Sequence, residues 1–74
     1  MQNSEPLLYN GKALLKERKK QKLSRTDIAS QLTLSEEQIK SIEENMRSGF
    51  ANDHFRKLSI KRYAKLLGLS VANI

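Results

Sequence analysis

Apolar residues recur along this chain at helical spacing, with no stretch of strand-like alternation. From Gly11 to Lys22 the run GKALLKERKKQK sets Leu14 and Leu15 against faces filled with charge. Its residues are mostly strong helix formers, so it predicts a first helix. Ser24 stands three residues before Asp27 and ahead of Ile28, Ala29 and Leu32, the pattern of a short N-capped helix beginning at Arg25. Leu32-Thr33-Leu34 then breaks the spacing. Ser35, with Gln38 three residues on, forms a second capping box and opens a third helix over Glu36 to Asn45, along Ile39, Ile42 and Met46. Two caps eleven residues apart leave a connection too short for the helices to run antiparallel at length, which predicts a tight corner between them.

From Met46 to Asp53 the residues Ser48, Gly49, Asn52 and Asp53 favour a loop, because they tolerate unusual backbone angles or bond to the backbone locally. The helical pattern resumes from His54 to Leu67 through Phe55, Leu58, Ile60, Tyr63 and Ala64, and stops at Gly68. Tyr63 is expected in the core, Phe55 fits either the core or a half-exposed place at the helix start, and Ser70 is placed to cap one further turn. The expectation is an all-α bundle of four or five short helices over residues 10–74, with the two-helix corner at 24–45 and a loose tail over residues 1–9.

Composition narrows what such a bundle does. Seventy-four residues with 38% hydrophobic content support one small core and no deep pocket, so an enzyme is not expected. There is no cysteine, and His54 is the sole histidine, so neither a disulfide nor a metal site is organised. Ser24, Ser35 and Ser70 are accounted for as caps, no catalytic constellation surrounds them, and Gly11, Gly49 and Gly68 are too isolated to cradle a phosphate. No cofactor is expected. The longest apolar runs are far short of the roughly 20 residues that cross a bilayer, and the first ten residues lack an export-signal pattern, which suits a cytoplasmic chain. The sequence stops after Ile74 with no polar tail, an ending that leaves room for a continuation into a longer protein.

The net charge of +6 invites a polyanionic partner. It is unevenly spread. Glu36, Glu37, Glu43 and Glu44 outweigh Lys40 between Ser35 and Met46, so the third helix is acidic and the rest of the chain is more basic than the total suggests. A second basic stripe, Arg56, Lys57, Lys61, Arg62 and Lys65, lies on the fourth helix. Without apolar surface beyond the needs of the core, that helix is not expected to contact a membrane.

The run LSRTDIASQLTLSEEQIKSIEEN resembles the helix-turn-helix of the Cro and C1 repressor class, with Ala29, Ile39 and Ile42 at the small and apolar positions that clamp the two helices. The resemblance implies a lambda-repressor-like DNA-binding fold in a bacterial transcriptional regulator, a homodimer on double-stranded DNA, and a partly buried ion pair between Arg18 and Glu43. It also implies that the third helix enters the major groove, presenting Glu36, Glu37, Gln38 and Ser41 to base edges, while Arg25, Lys19, Lys20, Lys22 and Lys40 meet phosphates. Glutamine bonds adenine bidentately and glutamate accepts from cytosine N4. Two adjacent glutamates near phosphates are electrostatically unfavourable, and Glu36 and Glu37 are more simply explained as complementing the positive N-terminal end of their own helix.

A narrower resemblance spans Gly11 to Leu69. IEEN, a loop, Phe55 and then IKRYAKLLGL are similar to the cytoplasmic N-terminal domain of the RodZ family, whose helix-turn-helix docks on the actin homologue MreB. That family commonly lacks the turn glycine of repressors, and here Thr33 stands in its place. The resemblance implies an alternative function, an adaptor in cell-shape control that grips an MreB-like filament through Phe55, Arg56 and Ser59. Of the aromatic pair expected there, Phe55 matches the first and Ser59 occupies the second. Members of that family continue into a membrane anchor.

Overall fold

Each of the four described helices starts on a side-chain oxygen and ends on a residue in the left-handed conformation. The structure, a computed structural model, describes residues 10–69, and it is all helical with no strand among them. Its elements are α1 (Gly11–Lys20), α2 (Arg25–Leu32), α3 (Glu36–Glu43) and α4 (Asp53–Leu66). The expected tail over residues 1–9 and the turn expected from Ser70 lie outside the described residues.

Asn10, Ser24, Ser35 and Asn52 are the N-caps, each accepting from a backbone N–H of its helix's first turn. At α2 and α3 the boxes are reciprocal. Ser24 N–H donates to Asp27 Oδ2 at 2.8 Å, and Ser35 N–H donates to Gln38 Oε1 at 2.9 Å. The bond from Ser24 holds the Asp27 carboxyl below its ordinary range.

The C-terminal ends share one geometry. Lys22, Thr33, Asn45 and Gly68 have φ of 62°, 58°, 58° and 83°. The next residue in each case, Leu23, Leu34, Met46 or Leu69, returns its N–H to a carbonyl five residues back, at 2.8–3.0 Å. These are Schellman closures, which satisfy carbonyls that the helix leaves open. Helices one and three accordingly stop two residues before the expected Lys22 and Asn45, because those residues supply the left-handed turn. Helix four starts one residue before the expected His54, because Asn52 serves as its cap.

The core is Leu14 of α1, Ile28, Ala29 and Leu32 of α2, Ile39 and Ile42 of α3, Ile60, Tyr63 and Ala64 of α4, and Leu67. α3 packs on α1 and α2, and α4 packs on α2. Long side chains tie the helix ends across the bundle. Gln21 Nε2 donates to Leu67 O at 2.8 Å and Arg62 Nη2 donates to Leu32 O at 3.0 Å.

The start of α1 touches the end of α3 so closely that a side chain does not fit. A Cβ on Gly11 would stand 2.1 Å from the carbonyl oxygen of Ile42. The Gly11 N–H instead donates to Asn45 Oδ1 at 2.9 Å, so Asn45 both turns the chain and locks α1 to α3.

The buried stripe of α4 departs from the one that apolar spacing suggests. Phe55 and Leu58 remain 36% and 44% exposed, and the stripe runs instead through Arg56 and Ser59 to Ile60, Tyr63 and Ala64. Both polar residues tolerate burial because they are bonded. Arg56 Nε donates to Met46 O at 2.8 Å and Ser59 Oγ donates to Phe55 O at 2.9 Å.

Two backbone positions give opposite expectations in urea denaturation. Gly11→Ala forces α1 away from α3 and should cost about 1–3 kcal/mol. Thr33→Gly relieves a β-branched residue of a left-handed conformation and should raise stability by up to about 1 kcal/mol, the gain being trimmed by the freer unfolded chain.

Candidate nucleic-acid interface

The two helices of the corner are held by a carboxylate placed inside the protein. Glu43, at the last position of α3, is 1% exposed and receives donors from three other helices. From α1, Arg18 donates to both of its oxygens, Nε to Oε2 at 2.6 Å and Nη2 to Oε1 at 3.2 Å. From α2, Arg25 Nε donates to Oε1 at 2.9 Å. From α4, the Tyr63 hydroxyl donates to Oε2. Burial pushes the Glu43 carboxyl up, but the bonds from Arg18, Tyr63 and Arg25 outweigh it and hold the carboxyl below its ordinary range. Its hydrogen bond to Arg18 also raises that guanidinium's already high pKa. Burial, followed by the adjacent carboxylate, lifts the Tyr63 hydroxyl well above its usual value. The resemblance implies only the Arg18 pair. The shares of Arg25 and Tyr63 have no marker in sequence spacing.

With Ile39, Ile42 and Glu43 turned inward, the solvent face of α3 carries Glu36, Glu37, Lys40 and Glu44. Ser41, expected at a base edge, is corrected by its surroundings: it is 4% exposed and its hydroxyl bonds to Ser48 O at 2.6 Å and Met46 O at 3.2 Å, beneath the loop that follows. Gln38 is half-buried and spends both ends of its amide internally, accepting from Ser35 N–H and donating from Nε2 to Gly49 O at 2.9 Å. These bonds fix the orientation of the Gln38 amide, which keeps one N–H and one oxygen lone pair for a base only in that orientation. Glu36 Oε2 accepts from Thr26 Oγ1 at 2.8 Å, bridging the first turns of α2 and α3. Glu37 and Lys40 are exposed and have no hydrogen-bond or ion-pair partner among the described residues.

Beside this face, Lys19, Ser24, Arg25 and Thr26 line an open groove that Glu36 closes on the α3 side. Lys19, Lys20 and Lys22 are exposed, and the left-handed turn at Lys22 brings the chain from the basic end of α1 to the N-terminus of α2. Arg25 is divided between roles: one nitrogen is committed to Glu43, and its side chain is still 33% exposed at the groove. Arg18 lines the same groove but is buried and paired.

On α4 the alternative face does not assemble as expected. Arg56 is 9% exposed and Ser59 is fully buried, so neither is presented to a partner. Phe55 remains accessible, edge-on to Phe50 at a ring separation of 5.4 Å, and Leu58 lies one turn further along. Among the described residues no acidic or histidine cluster is placed to hold a metal, and no helix is long and apolar enough to cross a membrane.

The corner of α2 and α3, closed at Thr33 and pinned at Glu43, is a helix-turn-helix unit, and residues 13–74 match the helix-turn-helix domain family. The chain belongs to that family. No curated protein and no solved structure matches it. Within the helix-turn-helix domain, Glu43 ties the second of the paired helices to every other helix described.

Stability should therefore follow the protonation of Glu43. A carboxyl whose pKa is depressed by folding stabilises the native state above its unfolded value, near 4.5, and loses that contribution as pH falls through the folded value. Thermal melts should be level from neutral pH to about 5 and drop steeply below about 4. Glu43→Ala strands Arg18 and should cost about 3–5 kcal/mol at neutral pH, with the acid-induced drop largely removed.

Proposed function

We propose that this domain binds double-stranded DNA, with α3 in the major groove and the basic edge formed by α1 and the start of α2 on phosphates, as part of a bacterial transcriptional regulator. The observation that carries this reading is the helix-turn-helix corner itself. It leaves Glu37 and Lys40 on the outer face of α3 without internal bonds and sets the start of that helix beside a groove lined by Lys19 and the half-exposed Arg25, with Lys20 and Lys22 exposed at the end of α1. The family match over residues 13–74 points the same way, since helix-turn-helix domains are a DNA-binding kind of module rather than an enzymatic one. Phosphates attract these cations without regard to sequence, and α3 supplies what discrimination there is. A homodimer fits the reading, two copies placing their α3 helices about one helical turn of DNA apart.

Binding should be strongly dependent on salt. If about four cations each displace a counterion, affinity for a labelled duplex falls about a hundredfold between roughly 50 and 200 mM salt. Replacing Lys19 and Lys20 together by Gln should weaken binding on all sequences alike and flatten that slope by about two charges. Fluorescence anisotropy across a salt series reads both effects, and binding indifferent to salt would rule the reading out.

One observation favours a second reading, an adaptor docking on an MreB-like filament. Phe55 and Leu58 stand exposed one turn apart on α4, although the domain buries most of its other large apolar side chains. With Arg56 and Ser59 buried, such a contact rests on Phe55, Leu58 and the surrounding lysines. Phe55→Ala should then abolish co-sedimentation with the filament while leaving the thermal melt and any DNA affinity nearly unchanged. Retained co-sedimentation counts against this reading.

A further inference from the structure

Resting on the DNA-binding reading, we infer that Glu37 and Lys40 are the specificity-determining pair, selecting adjacent G·C base pairs through cytosine N4 and guanine O6 and N7. The argument is one of elimination on a single helix face. Of the side chains on α3 that a base edge could meet, Ser41 is buried under the Met46–Ser48 turn, Gln38 is bonded at both ends of its amide, and Glu36 is held by Thr26. Glu44 lies at the C-terminal end beside Arg25, away from the end of the helix that enters a groove. Gln38 and Glu36 are thus held in orientations set by the protein's own bonds, whereas the side chains of Glu37 and Lys40 are exposed and unpartnered among the described residues and turn freely to a base edge.

Their spacing suits neighbouring base pairs. Residues three apart advance about 4.5 Å along a helix and lie on one face, while successive base pairs are about 3.4 Å apart. Their chemistry selects opposite partners. A lysine ammonium donates only, and guanine presents two acceptors in the major groove. A carboxylate accepts only, and the cytosine amino group is the donor that complements it. Beside phosphates, Glu37 meets repulsion everywhere unless a donor faces it, so it acts mainly against wrong sequences. Lys40 is thereby moved from the phosphate role that the resemblance implies to a base-reading one.

The test selects the 74-residue chain against duplexes randomised over about ten base pairs, one turn of DNA, at low salt. The expected result is enrichment of two adjacent G·C pairs. Replacing the guanine with 7-deazaguanine, which lacks the N7 acceptor, should weaken the wild-type chain about fivefold or more and leave Lys40→Ala, which has no side-chain donor, unaffected. Glu37→Ala, which has no side-chain acceptor, should lose the cytosine preference by a similar factor while binding random duplex more tightly than the wild type. If Glu37 merely complements the end of its own helix, Glu37→Ala lowers the melting temperature and leaves base preference intact, which overturns the inference. Duplex binding with no base preference, or with a preference unchanged in both variants, also overturns it and leaves the DNA-binding reading standing. Failure of the wild-type chain to bind any duplex at low salt removes that reading and the inference together.

Discussion

The structure depends on a carboxylate that cannot stay charged in the core alone. Glu43 lies in a bundle too small to provide a polar interior, and an isolated ion there is costly enough to unfold so small a domain. Four hydrogen bonds compensate it, two from Arg18, one from Arg25 and one from Tyr63, drawn from the three other described helices. Each helix must therefore present its donor to one point, and that requirement fixes their relative positions more narrowly than contact among Leu and Ile side chains does. An apolar residue of similar volume is often as stabilising as a buried ion pair. What the buried pair contributes is the restriction on geometry, because a helix that slides or rotates leaves a charge unpaired.

That restriction frees the outside of α3. Its inward side supplies the apolar contacts and the ionic anchor, and Ser41 and Gln38 hold down the loop that follows. The loop is thereby kept against α3, and the helix is fastened on three sides. On the remaining side the exposed residues have little structural work to do, with Glu36 and its Thr26 bridge the exception. A rigid support with an unencumbered surface is what recognition of another molecule requires, since side chains already committed to internal bonds would have to give them up on binding.

How much of this was legible in the sequence depends on whether the determining signal is local. The caps at Ser24 and Ser35 and the corner between them were readable because a cap bonds within three residues. A glycine marked a helix end only at Gly68, and the end of α2 was readable from the break in apolar spacing at Leu32-Thr33-Leu34. At Lys22, Thr33 and Asn45 a left-handed residue other than glycine is tolerated, and the available signal was the apolar residue that follows each one: Leu23, Leu34 and Met46. The phase of α4 was misleading for a related reason. Arg56 and Ser59 occupy buried positions that apolar periodicity assigns to Phe55 and Leu58, and their burial depends on bonding partners that a hydrophobic pattern does not register. In the candidate interface the basic residues at the end of α1 were visible as a cluster. The burial of Ser41, the engagement of Gln38 and the close approach at Gly11 came only from the way separate helices meet.

The acidic third helix and the basic remainder of the chain are compatible because their charges act at different distances. At physiological ionic strength a charge is felt over about 8 Å, so an approaching polyanion first meets the excess of lysine and arginine, and encounter is governed by the net charge of +6. Glu36 and Glu37 contribute little to that attraction, and their charges are partly balanced by the N-terminal end of α3, with the Thr26 hydroxyl adding to this at Glu36. They matter once α3 is in contact, where water is displaced and a carboxylate without a donor is penalised. On the DNA-binding reading, the cations set how readily the duplex is approached and the carboxylates set which sequences are retained. A lysine-rich α3 would bind duplex more tightly and discriminate less, so an acidic α3 on a basic body is not evidence against DNA as the partner.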